Sequence, residues 1–492
     1  MSNVDTIKIR MYNTGSVGDC FLLSLQKNGV TTFNMLIDCG GFNTSKAAIS
    51  ACVADIKNTI INNSLDLVVL THEHEDHASG FNEARTIFDT IEFKKVWMSW
   101  AENNKDRLAK KLFQEKGKKI KALAAALTTQ QQRLQRLSRS NTEVTGFKRT
   151  LELRKKNVAD TLEMLRFESG SALTKAVKGL TVNDAMGYVR NKSKLKLKTK
   201  MYKKPGQVIH GSNELPGAEG LKFFILGPPY DEELTGIKND EDHDEMYSLT
   251  RQLAMTGRGM QLKAITDMAN GNAGSPFSKK YEVTGKEKTE LEKEYDSRTL
   301  SWRQIEEDWL DSSDELAIAL TDFVNNTSLA FAIGFENSPK VLLFPADAQS
   351  GNWMSWHDTK VKNDLVKNGG MDADTLLKNT VFYKVGHHGS HNGTASKSGL
   401  EKMPDKGMVA FMPLRKDKIP YVWDREGKNF PAMPLYEKLI DKTSGAIIRI
   451  DEGVIKHQRA KDLRDQNLTA DMRTKLANAS ANPLYHEWEV KL

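Results

Sequence analysis

The seven residues THEHEDH, 71–77, follow directly on the apolar run LDLVVL. No other stretch restricts the fold as strongly. A buried strand that runs into three imidazoles and three carboxylates must supply partners for them, because unpaired polar and charged groups are costly in an apolar interior. A divalent metal ion suits this mixture. In an extended strand end, residues two apart point the same way, so His72 and His74 reach one ion from one side. Asp76 and His77 lie in the turn beyond and reach a second ion nearby. Neutral imidazole and carboxylate favour zinc or manganese, as one or two ions.

This motif closes neither position by itself, so further ligands must come from afar. VLLFPADAQ (341–349) offers Asp347 at the end of a strand, a good place for a bridging carboxylate. YKVGHHGSHNG (383–393) offers His387, His388 and His391 beyond another strand, and LIDCGG (36–41) offers Asp38 beside glycines. Ligands gathered from several strand ends are how an α/β sandwich builds a site at its rim.

The flanking patterns agree with such a sandwich. IKIRMYNTG, DCFLLSL and FNMLIDCGG read as hairpin strands, residues 44–61 as a helix, ASGFNEARTIFDTI as a second helix and FKKVWMSW as another strand. Strand character returns at LKFFILGPP and continues through SLAFAIGF, KVLLFPAD, VFYKV, MVAFMPL and AIIRIDEG. ELAIALTDF resumes the apolar pattern before them, and residues 231–310 read as loops and short helices with Gly-Asn turns at MANGNAGS. Between these halves the composition changes. Residues 101–205 hold 27 Lys and Arg against 9 Asp and Glu, whereas the chain as a whole carries only +7. KDRLAKKLFQEKGKKIKALAAALTTQQQRLQRL and VTGFKRTLELRKKNVADTLEMLRF read as long helices, and NKSKLKLKTKMYKK as an extended strand or loop. The expected organisation is an α/β domain at 1–100 and 215–455, a basic helical insertion at 101–214, and a C-terminal extension at 456–492 ending in a helix and a strand. Cys20, Cys39 and Cys52 are too few for a disulfide scaffold and read as buried core residues in a reducing compartment. With 39% hydrophobic and 27% charged residues, no apolar window long enough for a bilayer and no signal pattern in MSNVDTIKIRMY, a cytoplasmic protein without a membrane partner is expected.

VGDCFLL, LIDCGG, THEHEDHASG, NNTSLAF, LLFPADA and KVGHHGS, in that order, resemble the metallo-β-lactamase superfamily. More narrowly they resemble the hydrolase domain of ComEC-type DNA-uptake proteins and their soluble relatives. The resemblance covers roughly residues 6–100 and 320–452. It implies a four-layer αββα sandwich carrying the basic, mainly helical segment as an insertion. It also implies that His72 and His74 hold a first metal, that Asp76, His77 and His388 hold a second, and that Asp347 bridges them. His387 is the rival of His388 or its neighbour in support. Asp38 resembles the carboxylate that orients the histidines, and Gly18, Asp19, Gly40 and Gly41 shape the floor. Ser390 and Thr394 resemble small hydroxyl residues placed to contact a substrate phosphate; as turn residues they also suit a helix cap. Many superfamily members have a further histidine after a middle strand. Here LKFFILGPP ends in prolines, and His210 and His243, the histidines between His77 and Asp347, read as surface residues. One tight ion and one weaker ion are therefore expected.

The resemblance implies hydrolysis by a metal-bound hydroxide, with Asp76 and His388 in the catalytic group and Asp76 taking the proton of the water. Lys384, just before HHGS, is placed to offset charge on a phosphate or else to face solvent. The basic segment favours phosphodiesters, hence a nuclease or phosphodiesterase with a nucleic-acid partner. Two other functions also fit. One is a small-molecule ester, lactone or cyclic-nucleotide hydrolase whose helical arm is a lid or a homo-oligomer contact. The other is a metal-stabilised interaction protein without catalysis.

Overall fold

The computed structural model describes residues 4–140, 181–194, 198–236, 283–295, 324–419, 430–451 and 464–492, with Met246 and six isolated positions between 152 and 162. The chain divides into two compact units. Met1–Phe113, Ala176–Arg251 and Asp322–Leu492 make the first; Gln114–Lys175 and Gln252–Thr321 make the second. The second holds most of the helix Arg107–Ser140, 34 residues long, and the helix Gly285–Tyr295.

The first unit is built on two seven-stranded sheets. In chain order the strands are β1 (Thr6–Tyr12), β2 (Phe21–Lys27), β3 (Val30–Ile37), β4 (Ser64–Leu65), β5 (Leu67–Leu70), β6 (Glu92–Phe93), β7 (Val96–Ser99), β8 (Tyr202–Lys203), β9 (Val208–His210), β10 (Leu221–Ile225), β11 (Phe331–Phe335), β12 (Ser338–Phe344), β13 (Thr380–Lys384), β14 (Val409–Met412), β15 (Ile447–Arg449) and β16 (Tyr485–Lys491). One sheet runs β16-β1-β2-β3-β5-β7-β8 and the other β15-β14-β13-β12-β11-β10-β9, while β4 and β6 pair apart. Each sheet is half antiparallel and half parallel. From β3 to β8 in the first, and from β12 to β15 in the second, neighbours are parallel.

Side-chain alternation sorts the layers. Phe21, Leu23 and Leu25 of β2 and Leu67 and Val69 of β5 face one core between the sheets, where Phe223, Leu342, Phe344, Phe382 and Phe411 meet them. The intervening Leu22, Val68 and Leu70 join a second core outside the first sheet, and Val341, Leu343, Tyr383 and Ala410 a third outside the second sheet. Helices close both outer faces. Lys46–Thr59 is capped by the Ser45 side chain and buries Ile49, Cys52, Val53 and Ile56 at helical spacing. On the far side, helices Ser350–Ser355, Ala373–Lys378 and Met433–Thr443 bring in Trp353, Leu376, Leu377, Leu435 and Leu439. The order of layers is αββα. All three cysteines are free and buried. Among the described residues, no helix is long and apolar enough to cross a membrane.

Several expected boundaries move. Val182–Lys192 falls in the lysine-rich segment, yet this helix has a Thr181–Asp184 capping box and buries Val182, Ala185, Met186 and Val189 against the first sheet's outer core. Apolar spacing outweighs charge count here. β8 and β9, also inside 101–214, are sheet strands, one in each sheet. The C-terminal residues are no appendage: β16 pairs with β1 along its whole length, from Thr6 opposite Lys491 to Tyr12 opposite Tyr485. The helix expected over ASGFNEARTIFDTI is a series of short turns, Glu75–Ala78, Gly80–Glu83 and Arg85–Phe88. A Cβ at Gly80 would meet Cys39 Sγ at 2.6 Å, so the chain there hugs the end of β3. The expected elements VTGFKRTLELRKKNVADTLEMLRF (isolated positions aside), MANGNAGS and ELAIALTDF (315–323) lie outside the described residues, as do most of VIKHQRAKDLRDQ and His243.

Candidate metal centre

The candidate residues sit at the carboxyl ends of parallel strands from both sheets, where open α/β sheets place their ligands. Asp38 follows β3, His72 follows β5, Asp347 follows β12 and His388 follows β13. The chain turns sharply after three of these strands. Asp38 (φ 54°), Ala346 (φ 54°), His387 (φ 43°) and His388 (φ 52°) all adopt the left-handed region, which non-glycine residues enter at a cost and which clusters at functional sites. Glycine makes room below. A Cβ at Gly40 would lie 2.5 Å from the backbone of Glu75, Asp76 and His77, and one at Gly18 would lie 2.7 Å from the Asp76 carbonyl. Asp19 N donates to Asp76 O and Cys39 N to His77 O, each at 2.9 Å, so these loops clasp the motif.

Four buried side chains converge. Asp76, His77, Asp347 and His388 each offer a ligand atom within 4.8 Å of the others. His77 Nε2 lies 3.1 Å from Asp347 Oδ2 and 3.9 Å from Asp76 Oδ2. His388 Nε2 lies 2.9 Å from Asp76 Oδ2 and 3.6 Å from Asp347 Oδ2. The remaining ring nitrogens are engaged from behind: His77 Nδ1 donates to Asp38 Oδ2 at 2.8 Å and His388 Nδ1 to the Pro413 carbonyl at 3.0 Å. That arrangement fixes ring orientation and turns each Nε2 inward.

His72 and His74 form a looser pair. His72 Nε2 and His74 Nδ1 are 3.0 Å apart, within hydrogen-bond distance of each other. Thr71 ties this pair to the rest. Its hydroxyl donates to Asp38 Oδ2 at 2.7 Å and lies 3.0 Å from His72 Nδ1, while its backbone N–H donates to Asp38 Oδ1 at 2.8 Å. Sequence reading missed Thr71; its place between a buried strand and the first histidine was the available signal. Asp19, Asp38 and His77 form a second group of close donors on the far side of the His77 ring.

The other candidates occupy distinct places. His387 points away from the four-residue group, with Nδ1 3.0 Å from Asn392 Oδ1 and Nε2 3.3 Å from Asn325 Nδ2, so His388 is the member of the pair that joins it. Ser390 Oγ donates to Asn392 Oδ1 at 2.9 Å, and Thr394 Oγ1 lies 2.8 Å from the Tyr383 hydroxyl. Both hydroxyls are buried in the loop's own bonding. Lys384 does not face solvent: it is buried against Asp19 and Asp347. His210 is half-buried, bonded to the Asn368 carbonyl at 2.8 Å.

Electrostatics bind the group together. Burial disfavours the charged rings of His77 and His388, but the surrounding carboxylates, Asp347 foremost, outweigh it and raise both pKa values. Burial likewise works against ionised Asp347, yet His77, His388 and Lys384 hold it well below the usual carboxylate range. His72 differs: burial, then His77 and His74, push its pKa well down, which leaves a neutral ring. Two imidazoles, two carboxylates and a buried Asp76 Oδ1 without a hydrogen-bond partner fit a divalent metal ion in chemistry and spacing.

Residues 14–96 match the family model of the metallo-beta-lactamase superfamily. No curated protein and no solved structure matches the chain. The matched segment carries β1-side loop residues, Asp38 and the whole of THEHEDH, and it supports the superfamily and a metal-dependent hydrolase.

Proposed function

We propose that this metal-dependent hydrolase cleaves phosphodiester bonds, as a nuclease or phosphodiesterase of the ComEC-like kind. The buried group of Asp76, His77, Asp347 and His388 carries the hydrolytic part of that reading. The surplus of 27 basic over 9 acidic residues between 101 and 205 supports a polyanionic substrate.

A divalent zinc or manganese ion bound here would lower the pKa of a water and polarise the scissile group. The residues do the rest. Asp76, His77, His388 and Asp347 would hold the ion, and His72 and His74 would take part in a second. Asp76 Oδ1 is buried and without a hydrogen-bond partner, so it is available to accept a proton from the attacking water. Asp38, through Thr71 and His77, keeps the imidazoles in the orientation they need.

The test is cleavage of labelled single- and double-stranded DNA and RNA, beside a small chromogenic phosphodiester, with manganese or zinc and at two salt concentrations. Polymer cleavage that Asp347→Ala lacks, and that falls steeply with salt, is the expected result. Turnover of the small diester alone, insensitive to salt, would replace the nuclease with a small-molecule hydrolase. No turnover of either by metal-loaded protein would overturn the phosphodiester reading.

A further inference from the structure

Lys384 is the last residue of β13, just before the turn Gly386–Gly389 that carries His388. Its side chain is 2% exposed, and the Asp19 and Asp347 side chains beside it are equally buried. Nζ lies 2.6 Å from Asp19 Oδ2 and 3.3 Å from Asp347 Oδ1, and donates to the Ala346 carbonyl at 3.0 Å. An ammonium has three protons, and three acceptors take them. None is left to donate directly to a substrate phosphate.

The consequence falls on Asp347. Its Oδ1 faces the ammonium, while its Oδ2 faces His77 Nε2 at 3.1 Å and His388 Nε2 at 3.6 Å. The two oxygens of one carboxylate are divided between a fixed internal cation and the group that would take the metal. Asp19 anchors the far end: its Oδ2 holds Lys384 and its backbone N–H holds the Asp76 carbonyl. A brace thus runs from the first sheet's loop through Lys384 to the second sheet's carboxylate.

We propose that Lys384 is a positioning residue, which holds Oδ1 of Asp347 so that this carboxylate meets a divalent ion through Oδ2 alone. The inference rests on the reading of this group as a metal centre. A carboxylate free at both oxygens can chelate one ion; a braced one keeps Oδ2 as a single shared corner for two. The brace has an electrostatic cost, since a buried ammonium repels an incoming cation. Loss of Lys384 therefore strengthens attraction and loosens geometry together. Affinity is a poor readout for that reason, and the coordination number a good one.

Cobalt(II) reports coordination number, because its visible bands weaken as ligands are added. The full chain and Lys384→Met would each be loaded with cobalt, the bound metal counted and the spectrum recorded. The expected result is equal cobalt content with severalfold weaker bands in Lys384→Met, as Asp347 becomes bidentate. An unchanged spectrum at equal cobalt content would overturn the role of Lys384 and leave the metal centre standing. No cobalt in the parent protein would overturn the metal centre and this role with it. Should Lys384→Met not fold, a crystal structure of the zinc-loaded parent decides. Asp347 bound through Oδ2, with Oδ1 on Lys384, supports the role, and bidentate Asp347 refutes it.

Discussion

The two halves of the candidate metal centre are built by different means. Asp76, His77, Asp347 and His388 come from both sheets, and carboxylates separate the imidazoles. His72 and His74 come from one strand end, and their nitrogens face each other at 3.0 Å. The first group compensates its own charges; in the second, burial and the neighbouring rings hold His72 neutral, and no carboxylate stands between the two imidazoles. A cross-sheet group is preformed by the fold, so less ordering is left for an ion to impose. A local pair with two donors is a weak site until something else joins it. Affinity is accordingly expected to be unequal between the halves.

Removing the Asp347 carboxylate should break the cross-sheet half outright. Asp347→Ala is expected to lose the tight ion and nearly all activity, a larger effect than the roughly 10–100-fold that loss of a supporting partner costs. Metal content after dialysis, with turnover alongside, measures it. His388→Ala and His72→Ala sharpen the contrast. The first should abolish tight binding. The second should spare the tight ion and remove only the weaker one, as read by calorimetric titration with zinc. Equal losses of tight binding in both variants would erase the distinction.

Proton linkage separates the halves as well. His77 and His388 have raised pKa values in the metal-free protein. Their protons therefore contribute stability below the ordinary imidazole range, near pH 6.5, and that stability is lost as pH rises through the shifted values. An ion must displace those protons, so binding to the four-residue group improves with pH. The zinc-induced rise in melting temperature should grow between about pH 6 and about pH 8.5. His72 is held neutral and adds little to that slope. A zinc-induced rise that stays flat or shrinks over this range would contradict the protonated pair.

Much of this arrangement was legible in the chain. THEHEDH placed four candidate positions, His72, His74, Asp76 and His77, because a buried strand cannot end in such residues idly. Strand periodicity located Asp347 and the HHGS turn. Other features were hidden for physical reasons. His387 and His388 share composition and turn, and only the folded surroundings separate them, with His388 Nε2 on Asp76 and His387 on Asn392 and Asn325. Lys384 resembles any lysine at a strand end, and its burial depends on Asp19, distant in sequence. β16 meets β1 across nearly the whole chain, and no local pattern announces that pairing. The helix Val182–Lys192 was obscured by counting charge over a segment whose apolar residues are spaced to face a core.

The smallest expected effects lie in the support. Asp38→Asn keeps the shape but weakens the hold on His77 and Thr71, and should cost roughly 10–100-fold in zinc affinity. Thr71→Val leaves Asp38 on His77 and releases only His72, so it should weaken the second ion alone. Competition with a chromogenic chelator resolves both. A Thr71→Val loss as large as that of Asp38→Asn would mean that the halves are not separable.

The most direct measurement is the number and affinity of zinc or manganese ions bound by the parent chain, by equilibrium dialysis with elemental analysis, beside Asp347→Ala. One tight ion and a weaker second, with the tight ion gone from Asp347→Ala, is the predicted result. A parent chain that holds no ion after dialysis, or an Asp347→Ala chain that holds its ions unchanged, would contradict the account.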